Sequence, residues 1–454
     1  MKILGHNPAA AWMVMLAISE TVIVVGAACF AEPSWAADGA GTPARNVVVG
    51  TGDPNLDVPA VQAAVDRGGQ VLLRGHFSFD RPPSRPNALG FPHEVLVSRE
   101  VAISGTQDER GEMTTIEGGD VPFDVEAPGA RVSIKGLRFI RPRRLAISVF
   151  AVSGLVIAHC RIEQVESLPR RSTPEGVLVS TAILVTTTSN VRPTADQPGQ
   201  PENVSGALSI FDNNIDAVGT DDLASLGIFI TSVGKSPDKE VEIHLSGNII
   251  RNTTERALNI QQIGGRVYIE RNVITTSSNM RPGGGVTALV DGIKCQGSGS
   301  YLVAHNRIDS GWANGAGIRL RDLTALGSAV ERAIVVDNDV TMSAPQGVVF
   351  GKNSAAIEIR GFAQGNVVLN NRIRGRAGTA LAMVAQGLSV PANNTFAGND
   401  IEGFHPSLAD VFVDAGVANT LVVGRKGTVR DRGVGTVIVN PGKTASPGRQ
   451  KARN

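Results

Sequence analysis

The chain has 454 residues, 42% hydrophobic and only 4% aromatic, with 43 Lys+Arg against 42 Asp+Glu. A balance this even excludes the broad positive field of a nucleic-acid-binding surface, so any charged site must be a local patch. Three cysteines against 52 glycines and 24 prolines exclude a disulfide scaffold and leave burial as the source of stability.

Residues 1–36 carry a secretory pattern: Lys2, an apolar run from Ala11 to Ala31, then Ser34-Trp35-Ala36 with small residues at the cleavage-specifying positions. Cleavage implies a secreted or periplasmic protein with no stable membrane insertion afterwards. Two alternatives stay open, because the run is long enough to remain as an N-terminal anchor and Cys29 could carry a lipid. The body runs over 37–440, and the tail 441–454, PGKTASPGRQKARN, reads as disordered and basic.

The first element of the body is DVPAVQAAVDRGGQVLLRGHFSF, residues 57–79. A short helix capped by Asp57, with Pro59 in its first turn, ends at a Gly-Gly turn before a strand. Polar, Pro- and Gly-rich insertions follow at 79–93, 186–205 and 276–287, as candidate rims of a groove.

From residue 211 a pattern recurs: alternation runs into Asn, then any residue, then Ile or Val, at FDNNI, LSGNII, IERNVI, VAHNRI, VVDNDV, VLNNRI and FAGNDI. The key residues are Asn213, Asn248, Asn272, Asn306, Asn338, Asn371 and Asn399. An Asn at a fixed place tolerates a left-handed turn, and stacked amides can bond from coil to coil. Each repeat also holds a second short strand, a small residue followed by alternating inward and outward positions: AISVF, AILVT, GIFIT, ALNIQ, GIKCQ, GIRLR, AIEIR, ALAMV and DVFVD. These features describe an all-β fold, a single-stranded right-handed parallel β-helix (a solenoid) with a short N-terminal capping helix. Cys160 takes the place of Asn in HCRI, while Cys295 faces inward about four coils on. Roughly 19 Å of separation makes both buried thiols rather than a disulfide.

On these repeats and the opening helix–GG–strand segment, the chain resembles the pectin lyase-like superfamily of β-helix proteins over roughly residues 44–440. The resemblance implies that the second strand floors a substrate groove. Its outward rows read Asn259, Lys294, Arg319, Glu358 and, beside them, Gln261, Gln296, Arg321, Arg360, flanked on both sides by apolar or small residues.

Arginines suit carboxylates, and a lysine crowded by cations has its pKa pushed down, so Lys294 could act as a general base. That combination is what β-elimination of a uronate needs, and some β-helix polysaccharide lyases are similar in using Lys and Arg on adjacent coils. The reading is therefore a monomeric protein that engages an anionic polysaccharide, with Lys294, Arg319 and Arg321 as catalytic candidates. Asn259, Gln261, Gln296, Glu358, Arg360 and Trp312 are the substrate-binding candidates. A non-catalytic carbohydrate-binding or structural surface protein is the alternative, in which the charges form only a surface ladder. A glycoside hydrolase would need paired carboxylates, for which Asp221-Asp222, Asp291 and Glu358 are the material. The NTD, GHG and RIK motifs of polygalacturonase-like enzymes are absent. No cofactor is called for. A Ca²⁺ site at Asp291 or Asp322 stays open without an acidic cluster to demand it, and the seven histidines lack metal-ligand spacing.

Overall fold

The computed structural model describes residues 46–439 except 81–84, 87–91, 166–171, 174–175, 178–179, 188–202, 218–224, 235–238, 277–290, 311–314, 324–326, 344–349, 351–353 and 425–426. The signal-like segment, the basic tail, most of the three insertions, Trp312 and Asp221-Asp222 lie outside the described residues.

Short strands stack in parallel, three to a coil, into a right-handed parallel β-helix. The first sheet holds 14 strands, from Asn46–Val49 to Val437–Val439. The second and third sheets are hydrogen-bonded into one because Arg372–Val384 runs through both. Its start pairs with Asp339–Ser343 and its end with Ala355–Arg360. Val, Ile and Leu side chains of all three sheets fill one continuous core, which suits the low aromatic content.

The helix spans Pro54–Arg67, one turn earlier than expected. Asp53 is its N-cap, accepting from the Asn55 amide at 2.9 Å, and Pro54 takes the first helical position, leaving Pro59 inside the helix. Asp57 is therefore not the cap. Its buried carboxylate accepts from Thr51 N and Oγ1 at 2.8 Å, Gly52 N at 3.0 Å and Ser78 N at 2.8 Å, tying the helix to the first coil. Val58, Val61, Ala64 and Val65 join the main core, so the helix closes its N-terminal end. It leaves the edge of the first sheet to the strand Asn46–Val49 but shields the first strands of the other two faces, Gln62 bonding both Leu96 N and Leu96 O and Asp57 accepting from Ser78 N.

At the corner between the first and second sheets the asparagines stack as a buried ladder. Each Nδ2 donates to the next Oδ1, at 3.0 Å for Asn213–Asn248, Asn248–Asn272 and Asn272–Asn306, and at 2.8–2.9 Å for the links on to Asn399. The same Oδ1 atoms also accept a backbone N–H of the preceding coil, and Cys160 N donates to Asn213. The left-handed residue is not the Asn but the one before it: Asp212, Arg271, His305, Asp337 and Asn370 have φ of 52–56°. The turn's strain falls on an exposed neighbour so that the amide can point inward. His159 and His305 share that corner position, whereas His244 lies within the strand Val241–Ser246. A second ladder, Asn366 Nδ2 to Asn394 Oδ1 at 2.9 Å, holds the corner between the third and first sheets near the C-terminus.

Asn306→Ala strips Asn272 N and Nδ2 of their acceptor and Asn338 Oδ1 of a donor, all buried. The expected cost is about 3 kcal/mol or more by urea unfolding, since each orphaned buried group costs roughly 1–3 kcal/mol. Asn399→Ala, at the partly exposed end of the ladder, should cost about 1 kcal/mol because water can replace the amide. Equal losses would contradict the ladder's role.

Candidate functional site

The third sheet keeps the register that the repeats imply. Asn259 pairs with Lys294, Lys294 with Arg319 and Arg319 with Glu358, while Gln261, Gln296, Arg321 and Arg360 form the adjoining column. Ile293 and Cys295 point into the core, and both cysteines are buried and free. Burial pushes the Cys160 thiol up to about 12 and raises Cys295 further.

Two additional outward residues belong to the site, Arg256 and Asp291, which pair with each other three positions before Asn259 and Lys294. Strict alternation would place them inside. The phase breaks at the small residue that follows, because Ala257 and Leu258 both face the core. Gly292 occupies the equivalent place, where a Cβ would lie 2.7 Å from Gly317 O and from Ile308 Cγ2. No larger side chain fits between those coils.

The outward columns are not an exposed groove floor: Lys294 is 4% exposed, and Arg319 and Glu358 are 0%. Arg319 spans three coils. Its Nη1 meets Asp291 Oδ1 at 2.9 Å and Oδ2 at 3.0 Å, and its Nε meets Glu358 Oε1 at 2.9 Å. Arg360 Nε reaches the same Glu358 oxygen at 2.7 Å, and Arg256 approaches Asp291 at 3.6 Å while pairing with Glu255. Asp291 Oδ1 also accepts from Ala316 N at 3.0 Å. Burial opposes the charge of Arg319, but Asp291 and Glu358 outweigh it and raise its pKa.

Lys294 sits beside this network without a carboxylate in salt-bridge reach among the described residues. Burial first, and then the charges of Arg256 and Arg321, hold its ammonium well below the ordinary 10.5. Arg321 is partly exposed, with Nη2 donating to Gln386 Oε1 at 3.0 Å and Nε to Asp322 O at 3.3 Å. Burial, then Arg319 and Arg360, lower its pKa. Gln296 Nε2 donates to Asp322 O at 3.0 Å and Gln261 Nε2 to Asn259 Oδ1 at 2.9 Å. The structure thus brings eight of the expected site residues into two adjoining columns. It makes Arg319 an internal bridge rather than a group free to clamp a ligand. Asp291 and Glu358 bind Arg319 from either side, so neither stands ready as a hydrolytic acid or base. Among the described residues no group of three or more His, Cys, Asp or Glu is arranged to hold a metal ion.

Neither a family model nor a curated protein sequence matches the chain. Among solved structures, DFA-IIIase from Arthrobacter chlorophenolicus A6, without its lid and in complex with GF2, aligns with a TM-score of 0.52 at 14% identity. The alignment covers 88% of this chain and 97% of that one. PfbA, a surface adhesin of Streptococcus pneumoniae, aligns with a TM-score of 0.50 at 12% identity, covering 77% and 88%. The likeness is one of fold.

Because Lys294 has a depressed pKa in the folded state, the unfolded chain binds more protons between that value and 10.5, and stability must rise with pH across the window. Urea midpoints of the wild type, taken relative to Lys294→Met, should climb as pH rises towards 10.5. A flat difference would place Lys294 in water. Arg319→Ala should cost about 3–5 kcal/mol at neutral pH by leaving two buried carboxylates without their bridge, whereas a loss below ~1 kcal/mol would show that the bridge is dispensable.

Proposed function

We propose that the chain is an exported β-helix protein that engages an anionic polysaccharide along the outer side of its third sheet, and that it cleaves a uronate by β-elimination. The observation that carries this reading is Lys294, an amine held towards its neutral form by burial and by Arg256 and Arg321, one coil from a partly exposed guanidinium. Neutral Nζ takes the C5 proton. The electron pair of that C–H bond forms the C4=C5 double bond as the C4–O bond breaks, and the departing oxygen takes a proton from water. Arg321 is the group to neutralise the uronate carboxylate and acidify C5–H, because Arg319 is occupied by Asp291 and Glu358. Arg319 then positions rather than catalyses, holding the carboxylates whose charges set the field around Lys294. Export is supported by the apolar run and the Ser34-Trp35-Ala36 junction, and N-terminal sequencing of the protein recovered outside the cytoplasm tests it.

A second reading is favoured by the low exposure of the column: a non-catalytic carbohydrate-binding protein in which the charges only brace the sheet. A fold shared with a surface adhesin is compatible with it.

Elimination leaves a conjugated double bond that absorbs in the ultraviolet. Against alginate, pectate and glycosaminoglycans, the lyase reading expects absorbance from one class, with Lys294→Ala lowering the rate about 10²–10⁴-fold and Arg321→Ala raising KM. The rate should rise with pH through a value below 10.5, as the amine loses its proton. Glycan binding that survives Lys294→Ala, with no absorbance and no new reducing ends from any substrate, selects the second reading.

A further inference from the structure

The outer face of the first sheet is mixed in its N-terminal half and apolar in its C-terminal half. In the N-terminal half, Ser209, His244 and Tyr268 stand in register, with Glu242 and Arg266 beside them. From the strand Ser300–Ala304 onward the same column reads Leu302, Ile334, Val367, Thr395, Leu421 and Val437. The outward column next to it is apolar from Ala304 to Val439, but Ala304, Val336, Ala397 and Val423 are buried, so the main column supplies most of the exposed surface. The first five residues of the main column are half-buried against one another and Val437 is 50% exposed. Six coils make a stripe about 24 Å long at ~4.8 Å per coil. Soluble proteins rarely leave so contiguous an apolar surface without a partner.

We propose that this stripe is a self-association surface on which a second copy of the chain docks, the two solenoids side by side and parallel about a twofold axis along their length. Flat apolar sheet faces pack on one another at about 10 Å with their side chains interleaved. The charges at the rim choose the symmetry. Arg332 and Asp337 flank the strand Ile334–Val336 at its two corners, both exposed and both in the left-handed conformation, with φ of 57° and 53°. A lengthwise twofold keeps coils level and reverses the strand direction across the interface. Arg332 of each copy then faces Asp337 of the other, twice. A twofold across the length would instead oppose like corners. With both corners included, each copy contributes roughly 500 Å², so the pair reaches about 1,000 Å² in total, the lower bound for a specific interface. A polysaccharide is the poorer occupant, since the main column offers it one hydroxyl, that of Thr395, and no aromatic ring. The dimer replaces the monomer expected from sequence and does not depend on Lys294.

Sedimentation velocity of the full chain at tens of micromolar tests it. The wild type should run as a dimer, and Ile334→Glu with Val367→Lys as a monomer with an unchanged circular dichroism spectrum. Arg332→Asp should weaken the dimer about tenfold, a loss of ~1.4 kcal/mol, and adding Asp337→Arg should restore it. These corner residues are solvent-facing, so the charge swap reads association even if the variants within the stripe fold poorly. A monomeric wild type, an assembly larger than two, or a dimer indifferent to both sets of changes overturns the proposal.

Discussion

The constraint on which the rest of this molecule depends is the coil-to-coil spacing set by the buried asparagine ladder. Each amide oxygen takes both a side-chain and a backbone N–H from the coil before it, so a coil cannot slide by one residue without orphaning buried donors. One corner in register fixes the other faces, because each coil is a short closed circuit of three strands. The aliphatic core fills the interior but is non-directional and would tolerate small slips. The amides supply the direction.

Register turns isolated residues into columns, and a column of ionised side chains must alternate sign or lose charge. The third sheet does both. Arg319 is followed in its column by Glu358 and reached from the preceding coil by Asp291, so the three satisfy one another out of water. Lys294, stacked between Asn259 and Arg319, is driven towards the neutral amine by burial and then by Arg256 and Arg321. Buried ion pairs add little net stability over apolar packing, while breaking one is costly. They sit in the middle of an outward column, with Leu184 and Phe229 on one side and Ala382 and Phe412 on the other.

Much of this was legible in the sequence. The Asn-x-Ile/Val repeat gave the coils, and the small–aliphatic strand gave the pairing of Lys294 with Arg319 and Glu358, because period-two patterning and a fixed turn leave one register. Three things were not legible. Alternation hid Arg256 and the outward direction of Asp291, named from sequence only as a carboxylate near the groove, since the chain slips phase at the close-packed Ala257 and Gly292; their shared position three residues before the outward column was the available clue. Pattern reveals which way a side chain points but not what lies over it, so the burial of Arg319 went unseen. The helix start was misplaced at Asp57-Val58-Pro59, which mimics a cap and first turn, and only the amides around Asp57 show that it serves the first coil while Asp53 caps the helix.

The central claim is that Lys294 is an amine near neutrality within a register-locked charge network. It is tested most directly by the ¹³Cε resonance of Lys294 in lysine-labelled protein, assigned by its loss in Lys294→Arg and followed against pH. The account predicts a titration midpoint well below 10.5. A Lys294 midpoint at or above 10.5 would contradict it.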